Sequence, residues 1–181
     1  MKTKTRRIIF ALVAIAILIT LDQISKVWTR NYISYNPIII WDGVLSLSFV
    51  KNTGAAWGIF RNHTEILSIF SFVFSVLFFY LYTKLPDTKR FKALRYIFIF
   101  VVAGAVGNGI DRLFMGYVTD FISFDLINFP VFNIADCYIT VCMFLMVILI
   151  LFYYKDEDFT FLKRKKADTE DNRADSNEEH E

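Results

Sequence analysis

Histidine and cysteine are almost missing from this chain, which has two of each among its 181 residues. His180 lies in a polar tail, so His63 is the one histidine left for any folded site. That scarcity excludes the His-Glu-x-x-His helix of a zinc protease, and it leaves a serine nucleophile without a suitably placed base. Cys137 and Cys142 stand close together beside or within one apolar run, a poor geometry for a disulfide inside a helix. With so few histidines they do not make a metal site either, and they read as small apolar residues. Charge is missing in a long block as well: none falls between Asp136 and Lys155.

What is present is apolar. The chain is 55% hydrophobic and 18% aromatic, above the roughly 45–50% apolar content of soluble proteins. Ile8 to about Trp28, Ile66 to Tyr82, Ala93 to Ile110 and Tyr138 to Tyr154 each approach, with their flanks, the roughly 20 residues that span a bilayer core as a helix. Four such runs leave too little polar surface to cover them. The expected fold is therefore an all-α membrane protein with four transmembrane helices. It forms a single membrane domain over 1–155, followed at 156–181 by a charged cytoplasmic tail expected to be disordered past Lys166. The basic start, Lys2 to Arg7, also suits a signal peptide. No small-x-small cleavage site follows, so a retained first span is expected.

Orientation follows from the basic residues. Fifteen of the twenty lie before the first run, between the second and third, or after the fourth. Both termini and the short middle loop are expected on the cytoplasmic side. The first exterior segment carries "VLSLSFVKNTGAAWGIF", in which Leu45, Leu47 and Phe49 alternate with polar residues as in a strand. Asn62 followed by Glu65 resembles a helix cap and its partner opening the second span.

The ionisable residues expected at the exterior face are Asp22, Lys26, Asp111, Arg112, Asp120, Asp125 and Asp136. Charges at membrane depth are costly and face a bundle interior or a wet cavity. Asp22 and Lys26, at i and i+4, are spaced to pair on one helix face. Asn108-Gly-Ile-Asp111 and Asn133-Ile-Ala-Asp136 repeat one spacing, which puts amide and carboxylate on a shared face if each segment is helical. Two carboxylates held close in a dry site share a proton and titrate as a unit. One draws a proton from water while the other donates to the substrate, the working state of an aspartic protease. On spacing alone, Asp136 could be paired with Asp111 or Asp120. A small transporter or proton channel would also use intramembrane carboxylates, but at the midplane and not gathered at one face.

"LDQISK", "VKNTGAAWGIF", "GNGIDRL", "VTDFI" and "FNIAD" resemble, in order and spacing, the lipoprotein signal peptidase family, also called signal peptidase II. The resemblance runs from Asp22 into the fourth run. It implies a bacterial inner-membrane aspartic endopeptidase with four spans, an exterior β-cradle at about 30–62 and a short exterior helix. Such an enzyme removes signal peptides from diacylglyceryl-modified prolipoproteins, cutting on the N-terminal side of the lipid-bearing cysteine. It needs no metal or cofactor and no nucleic acid. Its partners are these substrates and membrane lipid, and a monomer is expected. The resemblance makes Asp120 and Asp136 the catalytic pair. Asp22, Lys26, Asn52, Gly54, Asn108, Asp111, Arg112, Asn133 and Ala135 match supporting or substrate-positioning residues. Arg112 beside Asp111, and Asn108 on its helix face, are expected to keep Asp111 ionised and outside the pair. The chain departs from the family pattern at Gly109, where a bulkier residue is common, and at Thr119, where an apolar one is usual. The segment from Asp120 to Asp136 is slightly short for the family.

Overall fold

A computed structural model describes residues 2–54, 63–127 and 129–160. Contacts group the chain into two units, Met1–Phe144 and Leu145–Glu181. The candidate site residues named above all lie in the first; Asn62 and residues 161–181 of the expected tail lie outside the described residues.

Helices α1 (Lys2–Trp28), α2 (Thr64–Lys84), α3 (Lys92–Met115) and α4 (Ile134–Ile148) are the four expected spans. Taken as the continuous helical runs Thr3–Ile33, Thr64–Lys84, Lys92–Met115 and Ile134–Tyr153, the four are long and apolar enough to cross a membrane. In α1 the inward residues are Ala11, Ile15, Asp22 and Lys26, spaced along one helical face. Ile9, Phe10, Leu12, Val13, Ile17, Leu21 and Ile24 point outward, where hydrocarbon is the solvent. Helix α3 is the most enclosed of the four, buried almost continuously from Ile97 to Gly109. It ends at Gly116, whose φ of 71° is the left-handed cap that a glycine adopts without strain. Beyond Trp28, α1 widens into a π-helical turn, Thr29–Ile33, with Thr29 and Ile33 buried.

Three antiparallel strands lie at the end where α1 and α3 finish, in the order β1 (Ile38–Trp41), β2 (Leu45–Asn52) and β3 (Val118–Phe124). The expected cradle at 30–62 thus supplies two strands, and the third comes from the second exterior segment. Strand β3 faces β2 with Val118 opposite Asn52, Thr119 opposite Lys51 and Asp120 opposite Val50. After the 3-10 turn Asp125–Ile127 the chain returns to β3. There Ile122 N–H donates to the Phe132 carbonyl at 2.8 Å, and Phe132 N–H to the Ile122 carbonyl at 3.1 Å. That return sets Asn133 beside Asp120 and starts α4.

Two local expectations are corrected. Helix α2 is capped by His63, with no side-chain bond, and not by Asn62; Glu65 remains in its first turn. Helix α4 begins at Ile134, ahead of Tyr138, because Asn133 caps it. Asn133 Oδ1 accepts Asp136 N–H at 3.0 Å, and Asp136 Oδ2 accepts Asn133 N–H at 3.1 Å. That reciprocal pair is a capping box with aspartate in the usual glutamate position. The second Asn-x-x-Asp is therefore a helix start, not a shared helical face.

In the second unit, α4 finishes and continues as a π-helical turn, Leu149–Tyr153. Tyr154 packs edge-on against Phe159 in the 3-10 turn Asp156–Phe159.

Candidate active site

Each carboxylate identified from the sequence has its surroundings set by a different element. Asp22 lies inside α1 and is fully buried. Its Oδ2 meets Lys26 Nζ at 2.8 Å, the pair expected from the spacing. Its Oδ1 accepts Ala135 N–H at 3.0 Å. One buried carboxylate thus pairs with an ammonium and satisfies an otherwise orphaned N–H at the start of α4. Gly107 makes room for it: a Cβ there would sit 2.6 Å from Asp22 Oδ2.

Asp111 is held by Lys26 Nζ at 3.5 Å and by Thr119 N–H at 2.9 Å. Its counter-ion is therefore Lys26 and not its sequence neighbour Arg112. The Arg112 guanidinium turns the other way, donating to the Gly54 carbonyl at 3.2 Å and to Ser71 Oγ at 3.5 Å.

Asp120 and Asp136 face one cavity, and three asparagines address them. Asn52 Nδ2 donates to Asp120 Oδ2 at 2.8 Å, and Asn133 Nδ2 to Asp120 Oδ1 at 2.6 Å. Asn108 Nδ2 donates to Asp136 Oδ1 at 2.7 Å. Each amide is oriented by an unambiguous donor on its oxygen: Gly54 N–H on Asn52, Asp136 N–H on Asn133 and the Lys26 ammonium on Asn108. No amide can be flipped without facing donor against donor. All three NH2 groups are thereby aimed at the two acids.

Asp120 itself is 1% exposed. Burial first, and then the neighbouring Asp136 charge, push its carboxyl from an ordinary 3.8 up to about 7, against the pull of the Asn52 and Asn133 donors. It is a carboxyl able to hold or release a proton near neutrality.

The cavity has a volume of about 690 Å³ and is lined at its polar end by Asn52, Gly54, Asn108, Arg112, Asp120 and Asp136. Its wall continues along α3 to Val101 and includes Phe74, Phe78, Ile139 and Met143. From Arg112 to Val101 is about 16 Å at a helical rise of about 1.5 Å per residue. A polar, proton-holding mouth thus opens onto an apolar groove within the span region.

The structure brings every site residue named from the sequence into one connected cluster, with Ala135 contributing only its backbone N–H. It adds residues that the sequence reading passed over. Gln23 Nε2 lies within 3.2 Å of Asp22 Oδ2, the Gly107 carbonyl and Asp111 Oδ1. It stands one place from Asp22, where side chains do not share a helical face, so spacing gave no sign of it. Thr119 stood out only as a departure from the family pattern, since its side-chain partner Arg30 is 89 residues away, and Ser71 gave no sign because Arg112 is 41 residues away.

Four apolar helices, a small sheet over one end and paired carboxyls at the head of an intramembrane groove define an integral-membrane peptidase. The chain belongs to the signal peptidase II family, whose model matches residues 14–152. It is 41% identical over 141 residues to a lipoprotein signal peptidase of Gloeothece citriformis, covering 77% of this chain and 86% of that one. A lipoprotein signal peptidase of Synechocystis is 42% identical, over 74% of this chain and 81% of that one. One from Streptococcus agalactiae is 35% identical, with 79% and 92% covered. A solved bacterial membrane enzyme superposes with a TM-score of 0.70 at 26% identity, over 78% of this chain and 87% of that one.

Proposed function

We propose that the chain is an aspartic endopeptidase that removes signal peptides from diacylglyceryl-modified prolipoproteins, cutting on the N-terminal side of the lipidated cysteine. The observation that carries this reading is the pair Asp120 and Asp136 on one cavity wall, each addressed by asparagines whose NH2 groups are locked toward it. Asp120 holds the shared proton, and Asp136, whose charge helps to raise the Asp120 carboxyl, is the ionised partner. Asp136 takes a proton from water as the water oxygen bonds to the scissile carbonyl carbon, and Asp120 protonates the carbonyl oxygen. When the tetrahedral adduct collapses, the C–N bond breaks, the departing nitrogen takes the proton held by Asp136, and one adduct hydroxyl returns its proton to Asp120 as the carbonyl re-forms. Asn52, Asn108 and Asn133 hold the acids, while Lys26, Asp22 and Asp111 brace the asparagines and β3. The apolar groove suits the hydrophobic stretch of a signal peptide, and the sheet-bearing mouth lets water reach the bond.

The site is assigned to the exterior face of a bacterial inner membrane, with both termini in the cytoplasm, because fifteen of the twenty basic residues fall in sequence before the first span, between the second and third, or after the fourth. It acts as a monomer on its lipoprotein precursors, without metal, cofactor or nucleic acid. Purified protein in detergent should cleave a prolipoprotein after diacylglyceryl transfer and leave the unmodified precursor intact on a gel. Equal cutting of both, or of neither, refutes the substrate assignment. Reporter fusions after Lys89 should give a cytoplasmic signal and fusions after Gly116 an exterior one; the reverse would put the acids on the wrong side.

A further inference from the structure

Arg30 and Thr119 take no part in the chemistry above, yet they are bonded to each other beside it. Arg30 Nη1 donates to Thr119 Oγ1 at 2.8 Å. Thr119 is fully buried and directly precedes Asp120. Its N–H donates to Asp111 Oδ2 at 2.9 Å, and Asp111 is held in turn by Lys26 and Gln23 on α1. The amide of Thr119 is thus tied back to α1 through a carboxylate, and its hydroxyl through a guanidinium.

Those ties fall beside the one irregular stretch of the β2–β3 ladder among the described residues. The pairing of β2 with β3 is irregular between Leu47 and Val50, and Val50 is the residue opposite Asp120. An irregular ladder bends and twists the strand locally. On the other edge, the Phe132 carbonyl takes the N–H groups of Phe121 at 3.0 Å and Ile122 at 2.8 Å, so the return strand meets β3 just after Asp120. Successive side chains alternate between sheet faces, so fixing the Thr119 side chain sets the rotation at which Asp120 is presented. The π-helical turn Thr29–Ile33 supplies the aim. Its wider winding changes the direction of side chains after Trp28, and burial of Thr29 and Ile33 anchors it.

We propose that Arg30 and Thr119 are positioning residues whose hydrogen bond holds β3 in the rotation that sets Asp120 against Asp136. This rests on reading Asp120 as one of the catalytic pair. The test measures kcat and KM for cleavage of a diacylglyceryl-modified prolipoprotein by the full chain, together with its thermal midpoint in detergent. Thr119→Val removes the acceptor and keeps the branched shape, Arg30→Met removes the donor, and Thr119→Ser restores the hydroxyl. Thr119→Val and Arg30→Met should each lower kcat about tenfold, less than the roughly hundredfold cost of a full ångström of misplacement. KM and thermal midpoint should stay put, the double variant should match either single one, and Thr119→Ser should keep native kcat. Native kcat in Thr119→Val, additive losses in the double variant, or a kcat loss that tracks a fall in thermal midpoint would each overturn the proposal. Asp120→Asn runs alongside as a control. If it turns over substrate, the catalytic reading falls and this one with it; if it is inactive while Thr119→Val is native, only the positioning role fails.

Discussion

Asparagine, a neutral residue, does much of the electrostatic work at this site. Asn52, Asn108 and Asn133 offer NH2 groups to the acids without adding a charge that would pin both as carboxylates. The one buried ammonium among the described residues, Lys26, pairs with Asp22 and Asp111 and is hydrogen-bonded to neither Asp120 nor Asp136, with Asn108 standing between it and Asp136. Burial and the neighbouring Asp136 can therefore push Asp120 up to about 7. A carboxyl raised in the fold contributes stability that is complete below its unfolded value of 3.8 and is lost as pH rises through about 7. The proton needed for catalysis disappears over the same range. Cleavage rates measured from pH 5 to pH 9 should fall on an alkaline limb with an apparent pKa near 7, belonging to the pair and not to either acid alone. A flat profile between pH 6 and pH 9 would contradict a shared proton on Asp120. At this scale the acids and their partner amides were legible in the sequence, because buried charge in an apolar run is conspicuous. The pairing of Lys26 with Asp111 was not, since sequence adjacency pointed to Arg112.

Among the elements, the contact between α3 and the first turn of α4 sets the site geometry. A Cβ at Gly104 would come within 2.6 Å of the Ala135 carbonyl and 2.8 Å of Ile139 Cγ1, so the two helices meet at a distance only glycine permits. That approach brings Asn108 to Asp136. Gly104→Ala should force them apart, costing on the order of 1–3 kcal/mol as overpacking does and reducing cleavage, read as a lower thermal midpoint in detergent together with a lower rate. An unchanged midpoint and rate would mean that the contact yields freely. The four helices were legible from their length and apolar content. Strand β3 was not, because Val118, Thr119, Asp120 and Phe121 are all buried. A strand enclosed on both faces loses the period-two pattern that betrayed β2. The capping box of Asn133 and Asp136 was misread as a helical face for a related reason: the same three-residue spacing serves both arrangements.

At the scale of the whole molecule, the charge pattern is that of a membrane protein built around its polar residues. Apolar side chains of α1 face outward, while Asp22, Lys26, Asp111 and Asp120 lie at 0–1% exposure inside. Breaking any one buried pair leaves a charge without compensation, which is strongly destabilising, so loss of activity in an Asp22 or Lys26 variant does not separate bracing from chemistry. The acids facing the cavity can be separated. The decisive measurement is single-turnover cleavage of a diacylglyceryl-modified prolipoprotein by Asp120→Asn, Asp136→Asn and the double variant, each first shown to be folded and to bind the substrate. The expected result is no detectable cleavage by either single variant and a double variant no worse than either, because residues that act as one unit are not additive. Substantial turnover by folded, substrate-bound Asp120→Asn would contradict the pairing and move it to Asp111 with Asp136.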